Sequence, residues 1–215
     1  MFLKAFVAAA ALSGAASGVS AATLDFVAAA AKNERGVPSG TVLSLDGMAV
    51  ALTSSHFPYL DDLSGGKPAG LGVCKKLDRK AQCAPSSDDN VQFGEWVALG
   101  FASPVTIGGL EFWDAGHRTL QGSTGLLSIA VNGMSATTMT FGEAVARLFP
   151  AVSTITFTAL SSKTGGREFY LGRAIATPMP AAHVPAPSPV PVPAAAGLLA
   201  LGLGALGALR RRRAA

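Results

Sequence analysis

Two dipeptides, Asp46-Gly47 and Asn132-Gly133, do most to constrain the fold of this chain, because each separates two runs of strand-forming residues. Asp-Gly and Asn-Gly readily adopt the positive φ angles of the two-residue turns that join antiparallel strands. The flanking runs are residues 41–45 and 48–53 at the first dipeptide and 126–131 and 134–141 at the second. Other strand-like runs are residues 24–30, 96–101, 105–112, 154–158 and 168–176, and residues 142–148 are predicted as a short helix. Eight or so short strands with glycine turns predict an all-β fold, an antiparallel β-sandwich of the jelly-roll type.

The composition is that of one apolar domain. Of the 215 residues, 49% are hydrophobic and 14% are charged, which excludes a disordered chain and a coiled coil. We place the β domain at residues 22–177, a length that buries roughly two-thirds of the surface of the unfolded chain.

The first 21 residues have the three parts of a secretory signal peptide in order. Lys4 provides the positive charge, residues 5–12 form an apolar stretch too short to span a bilayer, and small residues follow. The end of this segment fits the rule for signal peptidase, so we expect cleavage after Ala21, with Ala22 as the alternative. The signal peptide implies the Sec export machinery and signal peptidase as partners.

A proline-rich stretch and an apolar segment follow the predicted domain. Seven of the 13 prolines lie between Pro178 and Pro193, which predicts an extended linker over residues 178–193. Residues 194–209 carry no charge and predict a single transmembrane helix, somewhat shorter than a bilayer core of about 30 Å. The basic tail, 210–215, contains Arg210, Arg211, Arg212 and Arg213. These arginines place the tail in the cytoplasm and the β domain outside.

The net charge of +4 does not indicate a surface that binds nucleic acid. Five of the 17 Lys and Arg residues are Lys4 and the four arginines of the basic tail. All 13 Asp and Glu residues lie between these two ends, so the middle of the chain carries about −1. Proteins that track phosphates concentrate positive charge on the folded domain, and we therefore expect no nucleic acid as a partner.

The end of the chain resembles the sorting tail of PEP-CTERM proteins of Gram-negative bacteria. Its motif consists of Val190, Pro191, Val192, Pro193 and Ala194. The closest subclass is VPLPA-CTERM, from which this chain differs by Val192 in place of Leu. Residues 70–74, 86–90 and 113–117 also resemble sandwich domains common in this family. The resemblance implies recognition by an exosortase-type membrane peptidase, first as a single-span precursor in the inner membrane and then at the cell surface or outside the cell. It implies no catalytic residue.

Cys74 and Cys83 are the only cysteines. Export leads to an oxidising compartment, so an even pair predicts a disulfide, worth about 2.7 kcal/mol in the chain-entropy model. A metal-binding or redox-active pair is the alternative, but the spacing is not Cys-x-x-Cys and no histidine lies close in sequence. The loop between them carries four basic residues, Lys75, Lys76, Arg79 and Lys80. Such a loop is either simply solvated or in contact with an acidic polysaccharide.

An acidic run follows the second cysteine. Asp88, Asp89 and Asn90, with Glu95 beyond them, bring several oxygen atoms into a short segment. Carboxylate and amide oxygens are ligands of calcium, and extracellular calcium fills weak sites. The spacing is not that of an EF-hand loop. Two hypotheses therefore stay open: a calcium site and a solvated turn before a strand. Asp114 and His117 end the next pair of strands and are candidates for the same region.

The sequence contains neither an HExxH nor a GxSxG motif. We therefore predict that the protein is not an enzyme but an exported surface or extracellular-matrix protein. Its folded domain would bind or organise extracellular polysaccharide, and a shallow face that carries Trp96 or Trp113 would favour this binding function. The alternatives are a secreted carbohydrate-active enzyme, whose paired carboxylates no motif marks, and a purely structural surface protein.

Overall fold

The computed structural model describes residues 20–31, 33–62 and 68–180. Within these ranges the chain is mostly β, with one large sheet of eleven strands in which every strand pairing is antiparallel. The strands are β1 (Ala22–Asp25), β2 (Arg35–Gly36), β3 (Thr41–Leu45), β4 (Met48–Ser54), β5 (Phe57–Asp61), β6 (Gly70–Cys74), β7 (Trp96–Trp113), β8 (Leu126–Val131), β9 (Thr137–Thr140), β10 (Phe149–Ala159) and β11 (Tyr170–Pro178). The helices are α1 (Phe26–Ala30) and α2 (Phe141–Ala146), with a 3-10 turn at Ser162–Thr164. The prediction of an all-β antiparallel fold is confirmed.

Strand β7 organises the sheet. The strand order is β2-β5-β6-β11-β7-β10-β8-β9, with β1 paired to β11 and β3 joined through β4 to β7. The first part of β7 lies between β4 and β10, and its last part pairs with β11. The sequence predicted two separate strands, at 96–101 and 105–112, and this was wrong because β7 spans both runs. Pro104 has no N–H to donate, so the register with β10 shifts between Gly100 and Val105, but the backbone stays extended through the proline.

The Asp-Gly hairpin is confirmed. Asp46 and Gly47 have φ angles of 47° and 77°, and Leu45 pairs directly with Met48. At Asn132-Gly133 the chain also turns, but the ladder between β8 and β9 begins only at Ile129 and Thr137. The Asn132 side chain accepts hydrogen bonds from the N–H groups of Ser153 and Thr154 instead, which ties this turn to β10.

The two helices have clear local causes. The run 24–30 is not one strand, because the Asp25 side chain accepts a hydrogen bond from the Ala28 N–H at 2.8 Å and starts α1. The short helix predicted at 142–148 is confirmed as α2, which begins at Phe141 and ends at Ala146. Thr140 and Glu143 form a capping box at its start.

Four phenylalanines form the centre of the main core. The Phe112 ring makes edge-on contacts with Phe141, Phe157 and Phe169, at centroid distances of 5.2, 5.8 and 5.5 Å. All four side chains are fully buried, so β7, β10, α2 and the residue just before β11 share one core. The loop that follows Trp113 therefore starts from a firmly packed strand end.

Several sequence predictions fall outside the described residues. They concern residues 1–19 of the signal peptide, the linker beyond residue 180, the motif Val190–Ala194, the apolar segment 194–209 and the tail 210–215. The first compact unit of the chain ends at Met179, one residue beyond the end of β11. Among the described residues, no helix has the length and hydrophobicity needed to cross a membrane.

Candidate functional site

The predicted disulfide is present. Cys74 at the end of β6 is bonded to Cys83, with their Cα atoms 5.8 Å apart. An Asp88 carboxylate oxygen lies within 4.8 Å of both sulfurs. Because both sulfurs are consumed in the bond, neither offers the thiolate that a metal or redox site requires.

The disulfide loop, residues 75–82, is fastened to the sheet. The Tyr59 hydroxyl on β5 donates to Glu34 Oε1, and the Gln82 side-chain amide donates to the Glu34 carbonyl at 2.6 Å. The Cys83 N–H donates to the Tyr59 oxygen at 3.3 Å. Burial, together with the neighbouring Glu34 carboxylate, raises the pKa of Tyr59, so its hydroxyl keeps its proton.

Two members of the predicted calcium cluster meet at a lysine. The Lys75 ammonium lies 2.9 Å from Asp88 Oδ1 and 3.0 Å from Glu95 Oε1. It also donates to the Gln92 side-chain carbonyl at 2.8 Å. The hydrogen bond to Asp88 contributes most to raising the pKa of Lys75. The ammonium thus neutralises the carboxylates that a calcium ion would have bridged, and the geometry favours the turn over the calcium hypothesis.

Asp89 points to a different group of residues. The Tyr170 hydroxyl on β11 donates to Asp89 Oδ1, and Asp61 on β5 contacts the same hydroxyl. Burial, then the Asp89 and Glu34 carboxylates, raises the pKa of Asp61 to about 7. Burial also raises the pKa of Asp89. We call Asp61, Asp89 and Tyr170 the acid–tyrosine cluster.

Asn90, the remaining member of the predicted set, joins neither group. Its residue is only 4% exposed, and its side-chain oxygen has no hydrogen-bond partner among the described residues. The predicted set Asp88, Asp89, Asn90 and Glu95 is therefore divided. Calcium binding by these residues as one site stays a prediction.

His117 connects the acid–tyrosine cluster to a surface loop. Its ring stacks on Tyr170 at 5.4 Å, with 18° between the planes, and its Nδ1 lies 3.3 Å from the Pro68 carbonyl. His117 also lies close enough to Asp89 to interact with it electrostatically. Of the two extra residues predicted near the acidic run, His117 therefore reaches Asp89, whereas Asp114 faces an open cleft.

This cleft is an open cavity on the described surface that is lined by several charged side chains. Its volume is about 540 Å³, and an adjoining cavity of about 510 Å³ shares Asp114, Arg118 and Arg167 with it. We call it the arginine cleft and define it by Phe93, Asp114, Arg118, Gly166, Arg167 and Glu168. Sequence reasoning missed Phe93, Arg118, Arg167 and Glu168 because no motif connects segments so far apart in the chain.

Two tight loops form the walls of the arginine cleft. In the first, Asp114 Oδ1 accepts from the N–H groups of Gly116 and Arg118, both at 2.9 Å. In the second, the Ser161 carbonyl accepts from the N–H groups of Thr164 and Gly166, both at 3.0 Å. These hydrogen bonds hold the backbone of both walls in place, so a ligand that enters the cleft would need to order little of it.

The charges of the arginine cleft are balanced and accessible. The Arg118 side chain is 81% exposed, and its Nε is 3.2 Å from Asp114 Oδ2. Arg167 is exposed and has no ion pair among the described residues. Burial raises the pKa of Glu168, as does the charge of Glu95. The Phe93 side chain, on a residue that is 44% exposed, adds an aromatic surface beside these polar groups.

The two tryptophans do not line this cleft. Trp96 and Trp113 are both partly buried. The Trp113 indole N–H is buried without a hydrogen-bond partner among the described residues, and it packs so closely on β11 that a Cβ at Gly172 would lie 2.5 Å from it. Phe93 is the aromatic residue that the arginine cleft presents.

No protein-family model, no curated protein and no solved structure matches this chain. The likeness of its end to PEP-CTERM sorting tails therefore depends on the quoted residues alone.

Proposed function

We propose that this protein is an exported surface or matrix protein whose β domain binds extracellular polysaccharide in the arginine cleft. The observation that carries the proposal is the combination of Phe93 with Arg118, Arg167, Asp114 and Glu168 around one open cavity. An aromatic ring offers a flat apolar surface to the C–H faces of a sugar ring. Guanidinium and carboxyl groups supply the donors and acceptors that sugar hydroxyls need.

The chemistry of the arginine cleft favours binding over catalysis. The Asp114 carboxylate oxygens accept hydrogen bonds from the Arg118 side chain and from backbone N–H groups. Asp114 therefore orients Arg118 for contact with a ligand. Arg167 forms no ion pair with any other described residue, so its guanidinium donors are available to a ligand. A cavity with few polar anchors on preformed walls is typical of a binding site.

We also propose that the single sheet folds into the two facing layers of a sandwich. The contact between Phe112 and Phe157 supports this. Phe112 lies in the part of β7 that pairs with β11, whereas Phe157 lies in the part of β10 that pairs with β8. Side chains from two different parts of one sheet meet in one core when the sheet closes on itself.

The proposed route is export through the Sec pathway, then sorting by an exosortase-type peptidase from an inner-membrane precursor. The Cys74–Cys83 bond supports an oxidising destination. Ala22 is 6% exposed and is paired with Ala176 as the first residue of β1. Cleavage after Ala21 leaves this strand complete, which favours Ala21 over Ala22.

The binding proposal is tested with a glycan array and the full-length protein. We expect Phe93→Ala and the double variant Arg118→Ala, Arg167→Ala each to weaken the strongest interaction about tenfold or more, as for central residues of an interface. Arg147→Ala is the control, because this arginine lies over the Phe149 ring and not in the cleft. Equal loss of binding in the control, or none in the cleft variants, would contradict the proposal.

A carbohydrate-active enzyme is the second candidate, and one observation favours it. The pKa of Asp61, about 7, is what a general acid needs to hold its proton at neutral pH, and Asp89 is a second carboxyl beside it. Asp61 is only 6% exposed, which places this candidate second. Release of reducing sugars by the wild type but not by Asp61→Asn would establish it.

A further inference from the structure

The four basic residues of the disulfide loop do not act together. Lys75 turns to Asp88, Gln92 and Glu95, where it is part of an ion-paired network. Lys76, Arg79 and Lys80 are exposed. None of these three has an ion pair in the described ranges, 20–31, 33–62 and 68–180.

The described part of the chain concentrates three unpaired cations on one short loop, whereas Arg35, Lys163 and Arg167, which also lack an ion pair there, lie on separate segments. Lys75, Arg118 and Arg173 are each paired with carboxylates, and Arg147 lies over an aromatic ring. The one carboxylate inside the loop, on Asp78, accepts from the backbone N–H groups of Lys80 and Gln82 at 2.7 and 2.9 Å. It therefore stabilises the turn, and the positive charge is left directed to solvent.

The backbone that carries these cations is tightly constrained. The Cys74–Cys83 bond closes the loop, and Leu77 forms an isolated antiparallel bridge with Cys83. The Ala84 N–H donates to the Lys76 carbonyl at 2.9 Å, and the Asp78 N–H donates to the Gln82 carbonyl at 2.8 Å. Binding to such a loop requires little further ordering of the backbone.

We propose that Lys76, Arg79 and Lys80 form a second binding surface, separate from the arginine cleft, for a polysaccharide that carries carboxylate groups. A middle segment with a net charge of about −1 concentrates three positive charges on one rigid loop, and this charge separation fits a polyanion. The polysaccharide bound at this surface need not be the one that enters the arginine cleft, so this inference does not depend on the proposed function.

The test uses the full-length protein with polygalacturonate as the probe and dextran as its uncharged counterpart. We expect retention on polygalacturonate and not on dextran at low salt. Binding should be lost at about 1 M salt, where the Debye length falls to about 3 Å. The variant Lys76→Gln, Arg79→Gln, Lys80→Gln should bind polygalacturonate roughly a hundredfold more weakly, since each cation near an anionic surface adds to the affinity.

A matched control separates local from overall charge. The variant Arg147→Gln, Lys163→Gln, Arg173→Gln removes the same charge away from the disulfide loop, since Arg173 pairs with Asp25 and Glu111, and it should bind as the wild type does. Equal weakening in both triple variants would overturn the proposal, as would binding to phosphatidylglycerol vesicles without binding to polygalacturonate. The cleft variants should keep their affinity for polygalacturonate, so failure of this surface and failure of the cleft are distinguishable.

Discussion

Replacing Asp61 by Asn should stabilise the protein near pH 8 and change how its stability depends on pH. The Asp61 side chain is buried on β5, where it faces Tyr170 and three carboxylates, those of Glu34, Asp62 and Asp89. Its pKa is raised to about 7, mainly by burial and next by Asp89. An asparagine can donate an amide N–H to the Tyr170 oxygen but carries no charge.

The sign follows from proton binding. An unfolded Asp has a pKa of about 4, so between about pH 4 and pH 7 the folded state holds a proton that the unfolded state has released. Asp61 therefore makes stability fall as pH rises through this window, and the penalty is complete above pH 7. About three pKa units correspond to about 4 kcal/mol. Partial solvation of the carboxylate lowers this energy, so we expect ionised Asp61 to destabilise the folded protein by about 2–4 kcal/mol.

Urea unfolding of the wild type and of Asp61→Asn at pH 4.5 and pH 8 measures this difference. We expect the variant to gain about 2–4 kcal/mol relative to the wild type between the two pH values. The control Asp78→Asn removes the same charge from the exposed disulfide loop and separates net charge from burial. If the free energies of unfolding of the wild type and of Asp61→Asn differ by the same amount at both pH values, the reasoning about the acid–tyrosine cluster is refuted.

Three other perturbations test separate parts of the account. Replacing Cys74 and Cys83 by serine should lower the free energy of unfolding by about 2–4 kcal/mol in urea titrations; an unchanged midpoint would contradict this. Lys75→Met removes the cation between Asp88 and Glu95 and should destabilise the protein by roughly 1–3 kcal/mol. Calcium should raise the melting temperature of this variant but not of the wild type, and a wild-type shift with calcium would restore the calcium hypothesis. Gly166→Ala would place a Cβ 1.8 Å from the Leu160 carbonyl oxygen, so we expect the free energy of unfolding to fall by about 1–3 kcal/mol in the same urea assay. An unchanged free energy of unfolding would contradict the close packing of this cleft wall.

Features with a local cause were predictable from the sequence. The turn at Asp46-Gly47 needs only two residues that tolerate positive φ, and α2 needs only the capping box of Thr140 and Glu143. The Cys74–Cys83 pairing followed from there being two cysteines in a chain whose first residues predict export. Each inference used neighbours in sequence or a simple count.

Features with long-range causes were not predictable. A proline typically interrupts a strand, but pairing of β7 with β4, β10 and β11 keeps it extended through Pro104. Tyr170 meets Asp89 across 81 residues, and no pattern connects Phe93 to Arg118 and Arg167. The sequence directed attention to Trp96 and Trp113, since residue type alone does not reveal which aromatic side chain the packing leaves exposed.

Hydrogen exchange with a bound glycan tests the central claim most directly. The full-length protein, saturated with the polysaccharide that gives the strongest array signal, is compared with the free protein. The account predicts slower exchange in the three segments that form the arginine cleft, at residues 92–94, 114–118 and 161–168. Protection confined to another surface, such as strands β3 and β4, or no protection at saturation, would contradict it.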